Sequence, residues 1–423
     1  MPESAPRAGV YIGRREYFER LDAHADGEGP ALVVLGASGG GKSALLDNWE
    51  LERGGAHPDE LLLSHFVGAS PASGDWAGML RRLMGELMKH FAIELEIPDS
   101  LVELRSAFAN LLHMAAAKGR VVLIIDALDQ LEDREGAREL LWLPALVPAN
   151  MRLVLSTLPG ASLDKLTKRG WPTLTVEPLR PEERKLLIDS YLAQHTMSPE
   201  RSDRIAAASQ SANPLFLRAL LEELRVRGQH ETLDERITDL LATAGPEELY
   251  ALILERYEAD YDRERPNLVR EAMSLIWAAR GGLSESELLD LLGMGGRLPR
   301  ASWSPLCLAA EHSLVDRAGC LTFSHECLRA AVRRRYVPTS DAQAAVHLRL
   351  ADYFGTQERR LTARGIDELP WQLAAAADAR AAVRRRLAAH FGTPEDRLSG
   401  RGIDELRWQL AEATSCRRLY DLL

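Results

Sequence analysis

An apolar run, Ala31 to Leu35, leads directly into Gly36-Ala37-Ser38-Gly39-Gly40-Gly41-Lys42-Ser43, and an amphipathic segment follows at once. That order leaves few folds open. The glycine-rich stretch matches the G-x-x-x-x-G-K-[ST] phosphate loop in full, a motif in which glycines let backbone N–H groups converge on phosphate oxygens at the start of a helix. The run before it reads as a buried parallel strand, and Ser43 to Arg53 as a helix ending at Gly54 and Gly55. Strand, loop and helix in succession are the context that gives the motif its meaning, so the sequence predicts a phosphate-binding site before anything else.

The pattern around the loop is that of an α/β fold. From residue 31 to about 177, short apolar runs alternate with helical stretches, the signature of a doubly wound parallel sheet. The strand candidates are Ala31–Leu35, Leu61–Val67, Val121–Ile125, Arg152–Ser156 and Thr173–Val176. Val121–Ile125 is apolar at every position, as a strand covered on both faces must be. Trp76–Phe91 and Leu101–Ala117 carry apolar residues at three- and four-residue spacing, and Lys118-Gly119 closes the second of these helices.

After Pro178 the strand signal stops. Pro181-Glu182-Glu183 opens a helix with proline and acids in its first turn, and helical segments follow at about 181–195, 200–210, 214–227 and 246–260. They suit a small helical lid. Leu268–Ala279 is another helix, and Ser284 with Glu287 fits a capping box for the next. Leu314–Arg317, the Ala318-Gly319 turn and Cys320–Phe323 read as a hairpin, followed by a helix at Glu326–Tyr336. Helices plus a hairpin predict a winged-helix domain. Beyond it, Arg349–Ala374 recurs as Arg386–Ala411: Phe354-Gly355-Thr356 returns as Phe391-Gly392-Thr393, and Trp371-Gln372-Leu373 as Trp408-Gln409-Leu410. The offset of about 37 residues suits helical repeats, which bury their faces only by stacking. The predicted divisions are therefore 1–30, a P-loop domain at 31–177, a helical domain at 178–240, a linker helix and winged helix at 241–340, and two repeats at 341–423. A chain of 423 residues is long enough for about three domains at about 150 residues each.

Composition excludes several classes. The formal charge of −10 argues against a large footprint on nucleic acid, because such affinity rests on clustered Lys and Arg. The segment Arg300–His312, at the recognition position of the winged helix, is mostly apolar or neutral, so a packing role is expected there. The arginine triplets Arg333–Arg335 and Arg384–Arg386 lie inside helical patterns and read as solvated faces. No run is long enough to cross a bilayer, and the start Met1-Pro2-Glu3-Ser4 lacks the apolar core of a signal peptide. Cys307, Cys320, Cys327 and Cys416 make no disulfide framework, so a reducing cytoplasm is expected. Cys320, His325 and Cys327 lack the paired spacing of a zinc site and read as core groups.

The chemistry gathers at the loop and at two strand ends. Lys42 is placed to reach the β- and γ-phosphates and Ser43 to put its hydroxyl on Mg2+, and Ala44 is expected to contact the nucleotide together with Gly36 to Ser43. Asp126 ends a buried strand and supplies the acid of the metal site at the carboxyl edge of the sheet. Many hydrolysing P-loop enzymes place Glu directly after that Asp. Here the position is Ala127, and Asp129 is the nearest acid able to orient a water. Slow hydrolysis is the expected result. Ser156 and Thr157 end the next strand, where a hydroxyl can sense the γ-phosphate.

Several short motifs in order resemble one family. Val10-Tyr11-Ile12-Gly13-Arg14-Arg15-Glu16, Asp126-Ala127-Leu128-Asp129, Ala212-Asn213-Pro214-Leu215-Phe216-Leu217 and Phe323-Ser324-His325-Glu326 are together similar to the signal-transducing STAND ATPases, particularly their NACHT-type branch. The resemblance covers about residues 10–340. It implies that Ile12, Gly13 and Arg14 lie near adenine and ribose, that Pro214 lies against adenine, and that His325 reaches the β-phosphate of ADP. Residues 1–30 then become an adenine-contacting segment. Gln130 departs from the branch, where Glu often continues the acidic signature, and no effector domain is expected before residue 10.

The resulting expectation is an ATP/ADP-dependent switch with Mg2+ as cofactor, slow turnover, a homo-oligomer in the ATP state, and a protein trigger sensed by the C-terminal repeats. Two other readings remain at this stage: a DNA-associated AAA-type ATPase, which the acidic charge disfavours, and a scaffold whose nucleotide is never turned over.

Overall fold

The computed structural model describes residues 14–68, 73–132, 136–191, 197–226, 233–293, 296–356, 359 and 362–391, and the chain divides into two compact units, 1–249 and 250–423. Ile12, Gly13, Cys416 and most of the second repeat copy lie outside the described residues.

In the first unit, strands β1 (Leu32–Leu35), β2 (Leu61–Phe66), β3 (Val121–Asp126), β4 (Met151–Thr157) and β5 (Thr173–Thr175) form one parallel sheet in the order β2-β3-β4-β1-β5. Helices α1 (Arg15–Asp26), α2 (Lys42–Ala56), α3 (Trp76–Phe91), α4 (Leu101–Lys118) and α5 (Ala161–Thr167) accompany it. Alternate strand residues feed two cores, one on each face. Val33, Leu123, Ile125 and Leu155 pack with Trp76, Leu80, Phe108 and Leu111 of α3 and α4. Val34, Val122, Ile124 and Val154 pack with Phe18, Leu21, Leu46 and Trp49 of α1 and α2. The sheet is doubly wound, as its apolar runs require.

Helix α1 goes beyond what the sequence pattern predicts, since residues 15–26 bury Tyr17, Phe18, Leu21 and Ala25 in the second core. Helix α2 also departs from expectation, because it runs through Gly54 and Gly55 to Ala56 instead of ending there. The reason is Arg53. Its guanidinium is buried and donates to Asp22 Oδ1 (3.1 Å), Asp26 Oδ1 (2.7 Å) and both carboxylate oxygens of Glu60 (2.8 Å each), while its carbonyl accepts the N–H of His57 at 2.8 Å. Those partners hold the last turn helical against the entropy cost of the glycines.

The β2 residue His65 is buried between the Ser73 carbonyl (Nε2, 2.9 Å) and Arg82 (Nδ1, 3.2 Å). Burial, reinforced by the Arg82 charge and opposed by the Ser73 contact, pushes its pKa down to about 4 from 6.5. The folded state therefore binds this proton less readily than the unfolded chain. Its stability contribution is complete above the unfolded value and is lost as pH falls through the folded one, a total of roughly 3 kcal/mol. Unfolding free energies from urea titration are expected to fall between pH 7 and pH 4.5 in the wild type, and to fall by about 2 kcal/mol less in His65→Gln.

Past β5 the unit turns helical, with α6 (Pro181–Tyr191), α7 (Pro199–Ala207), α8 (Pro214–Val226) and α9 (Leu233–Leu241). Buried Arg14 fastens the start of this part. It donates to the carbonyls of Glu177 (2.7 Å) and Pro178 (3.0 Å) and, in a two-pronged pair, to Glu183 Oε1 (3.1 Å) and Oε2 (2.9 Å).

The second unit takes in most of α10 (Pro246–Tyr261), then α11 (Leu268–Ala278), α12 (Glu285–Leu292) and α13 (Arg300–Ala309). Strands β6 (Leu314–Arg317) and β7 (Cys320–Phe323) pair antiparallel, and α14 (Glu326–Tyr336), α15 (Ser340–Phe354) and α16 (Ala363–Phe391) complete the chain that is described. Ser284 and Glu287 form the full capping box at α12. The hairpin turn places Ala318 at φ 53° and Gly319 at φ 83°, the left-handed pair that a two-residue turn between twisted strands demands. In α13, Trp303 and Leu306 are buried. The first repeat copy is docked by polar groups: Glu368 accepts the N–H groups of Arg280 and Gly281 at 3.2 Å, and Gln372 donates to the Ala278 carbonyl at 2.9 Å. The Gln372 contact satisfies one of the last carbonyls of α11. Among the described residues no group of three or more His, Cys, Asp or Glu side chains could hold a metal ion, and no helix is long and apolar enough to cross a membrane.

Candidate phosphate and metal site

The loop between β1 and α2 is shaped by positive backbone angles at Gly39 (φ 72°) and Gly41 (φ 91°), a conformation costly for any residue with a Cβ. Gly36 is held closely: a Cβ there would lie 3.1 Å from the Val176 carbonyl oxygen. Gly40 donates its N–H to the Ala37 carbonyl at 3.0 Å, which closes a turn inside the loop. Gly41 is the N-cap of α2 and has no side chain to cap it, so the first-turn N–H groups face outward with the positive end of the helix dipole.

Lys42 arches back over this turn. Its Nζ donates to the carbonyls of Gly36 (3.0 Å) and Ala37 (3.1 Å), and the residue is 9% exposed. Burial pushes its pKa down, while the charges of Asp129 and Asp126 oppose that effect. A buried ammonium held by two carbonyls, with carboxylates near but not hydrogen-bonded to it among the described residues, fits a polyphosphate. Ser43 is half-buried in the first turn and Ala44 exposed beside it.

Sheet register brings the other groups level with the loop. Leu35 pairs with Thr157 on one side and Thr175 on the other, so the end of β4 flanks the point where the loop begins. Strand β3 lies one position further out, beyond β4. Asp126 is thus separated from β1 by a strand, and Ser156 spans the gap: its Oγ donates to Asp126 Oδ1 and accepts the N–H of Ala127 at 2.9 Å. Both residues are buried. Ala127 turns the chain at φ 62°, and Asp129 then accepts the N–H of Leu158 through Oδ1 at 3.0 Å. The sharp turn keeps both acids beside Lys42.

Of the hydroxyls at the end of β4, Ser156 is the one bonded to Asp126, whereas Thr157 Oγ1 donates to the Leu158 carbonyl at 3.2 Å. The alternation of a strand decides this, since neighbouring residues face opposite sides. Pro214 lies against the loop, with Cγ 3.7 Å from where a Cβ on Gly41 would stand. The Arg14 guanidinium is occupied by Glu183 and backbone carbonyls. His325, in the second unit, is the N-cap of α14, and its Nδ1 accepts the Cys327 N–H at 3.1 Å.

Fold and loop together define a P-loop nucleotide-binding domain on a five-stranded parallel sheet. Residues 31–195 match the NACHT domain family. A tetratricopeptide repeat-containing protein of Dictyostelium discoideum is 32% identical over 86% of this chain and 26% of its own length, and human nephrocystin-3 is 28% identical over 87% of this chain and 28% of its own. The chain spans about a quarter of the length of these curated relatives. Among solved structures, a STAND protein with a tetratricopeptide repeat sensor from Pyrococcus horikoshii covers 97% of this chain and 54% of its own, at 14% identity and a TM-score of 0.52; that likeness is one of fold. The matched segment, residues 31–195, is thus a P-loop NTPase domain of the NACHT type.

Proposed function

We propose that this chain is an ATP/ADP-dependent switch whose nucleotide state governs domain opening and self-association. The observation that carries the reading is the convergence of Lys42, Asp126 and Asp129 on the loop. Lys42 and the loop N–H groups hold the phosphates, and the Ser43 hydroxyl with Asp126 would hold Mg2+. Bound Mg2+ supplies charge neutralisation across the β- and γ-phosphates. Asp129, oriented by the Leu158 N–H, directs a water toward the γ-phosphate. The position after Asp126 carries the methyl group of Ala127 in a left-handed turn, so turnover is slow. Ile12, Gly13, Pro214 and His325 enter this reading as nucleotide contacts through the family resemblance alone.

The relatives support a protein trigger: one is named for tetratricopeptide repeats, and the STAND structure for a repeat sensor. The repeated segment from Arg349 onward is the counterpart we assign to sensing. A second reading, a scaffold stabilised by nucleotide that it never hydrolyses, is favoured by Ala127.

A nucleotide shifts such an equilibrium only through its differential affinity for the two states. Light scattering of the purified chain with ADP and with a non-hydrolysable ATP analogue is the test. A monomer in ADP and a larger mass in the analogue are expected; the same mass in both removes the switch.

A further inference from the structure

Asn213 precedes the proline assigned to the nucleotide, and its side chain is used at both ends. Its Oδ1 accepts the N–H groups of Leu215 (3.0 Å) and Phe216 (3.2 Å), the N-cap of α8. Its Nδ2 donates to the carbonyl of Ser38 in the phosphate loop at 2.9 Å. The Leu215 N–H reaches the Gly39 carbonyl as well, at 3.2 Å. The amide orientation follows from these partners, since donors lie on one side and an acceptor on the other.

The contact needs the loop to come unusually close. A Cβ on Gly39 would stand 2.7 Å from Leu215 Cβ and 2.9 Å from Asn213 Oδ1, so only glycine admits this approach. The turn before α8 is anchored in turn, because the Ala212 carbonyl accepts the Leu179 N–H at 2.7 Å where the chain leaves the sheet. In a trans peptide the C=O and N–H point opposite ways. With the carbonyls of Ser38 and Gly39 held toward α8, the N–H groups of Gly39 and Gly40 are turned to the other side of the loop, and that of Gly40 closes the inner turn on Ala37.

We propose that Asn213 is a positioning residue that locks the phosphate loop to the helices following the sheet, so that release of nucleotide requires this lock to open. The proposal rests on the nucleotide-binding reading above. Asparagine is the residue type the geometry demands: aspartate keeps the helix cap but sets a carboxylate against the Ser38 carbonyl and near the phosphates, and serine keeps the cap but loses the reach.

The test uses the full chain and a fluorescent ADP analogue, with stopped-flow release rates for wild type, Asn213→Asp and Asn213→Ser, and melting midpoints without nucleotide. Release is expected to quicken about two- to tenfold in Asn213→Ser, the loss of one hydrogen bond, and by more in Asn213→Asp. Midpoints without nucleotide should stay within about 2 °C of wild type, because the cap survives. Unchanged release rates in both variants overturn the lock while leaving nucleotide binding intact, and lowered midpoints with unchanged release reduce Asn213 to a helix cap. A wild type that binds neither the ADP nor the matching ATP analogue overturns the nucleotide reading and the lock together.

Discussion

Lys42→Ala is expected to lower nucleotide affinity by about 100-fold or more. Hydrogen bonds made by a charged donor are each worth about 1.5–3 kcal/mol, and about 1.4 kcal/mol is a tenfold change in affinity. Lys42 is the buried cation of the loop, so in the proposed reading its loss removes contacts to two phosphates and with them several such increments. The fold should tolerate the change, because burial already works against the ammonium: its pKa is pushed down by desolvation, with Asp129 and Asp126 in opposition. Fluorescent ADP titration with a melting curve of the free protein separates the two effects. An affinity within about threefold of wild type would show that the phosphates bind elsewhere.

Glu183→Ala is expected to destabilise the first unit by about 3 kcal/mol, because removing one member of a buried pair strands the other charge. Side-chain exposures of Arg14 and Glu183 are 8% and 7%, so the guanidinium cannot turn to water without leaving the carbonyls of Glu177 and Pro178. Glu183 also accepts the Arg180 N–H at 2.7 Å. Burial pushes the Glu183 carboxyl up, but the hydrogen bonds from Arg14 and Arg180 outweigh it and hold the pKa below its ordinary value. Its stability contribution is therefore present at neutral pH and lost as pH falls through that depressed value. Urea midpoints at pH 7 should show the full loss in Glu183→Ala. A midpoint equal to wild type would mean that the pair contributes no net stability.

The strands were legible in the sequence because a doubly covered parallel strand admits only apolar residues, and Val122, Ile124 and their neighbours obey that rule. The loop was legible because its glycines and Lys42 have one common use. Helix α1 was not, since its apolar positions lie among Arg15, Glu16 and Glu19 and gain their meaning only from the sheet face beneath. The extension of α2 past its glycines was hidden as well, because it depends on Asp22, Asp26 and Glu60, which the fold alone brings to Arg53. At the site, Asp126 could be read from its strand end, but the choice of Ser156 over Thr157 is a matter of register. Asn213 carried a signal, an Asn before Pro at a helix start, which locally means a cap. Its second bond, to Ser38, spans 175 residues and leaves no local trace.

The intercalation of β4 between β1 and β3 also makes the spacing of the two halves of the site depend on a third strand. The strand that carries the phosphate loop and the strand that carries Asp126 share no edge, and each pairs with β4 instead. A nascent chain that has emerged only to residue 150 holds both halves of the site with nothing to set their register. Its loop and its acid come into fixed spacing when Met151–Thr157 inserts, and the same event delivers Ser156 to Asp126 and the Leu158 N–H to Asp129. The site is thus completed by a strand that supplies neither the phosphate loop nor Asp126.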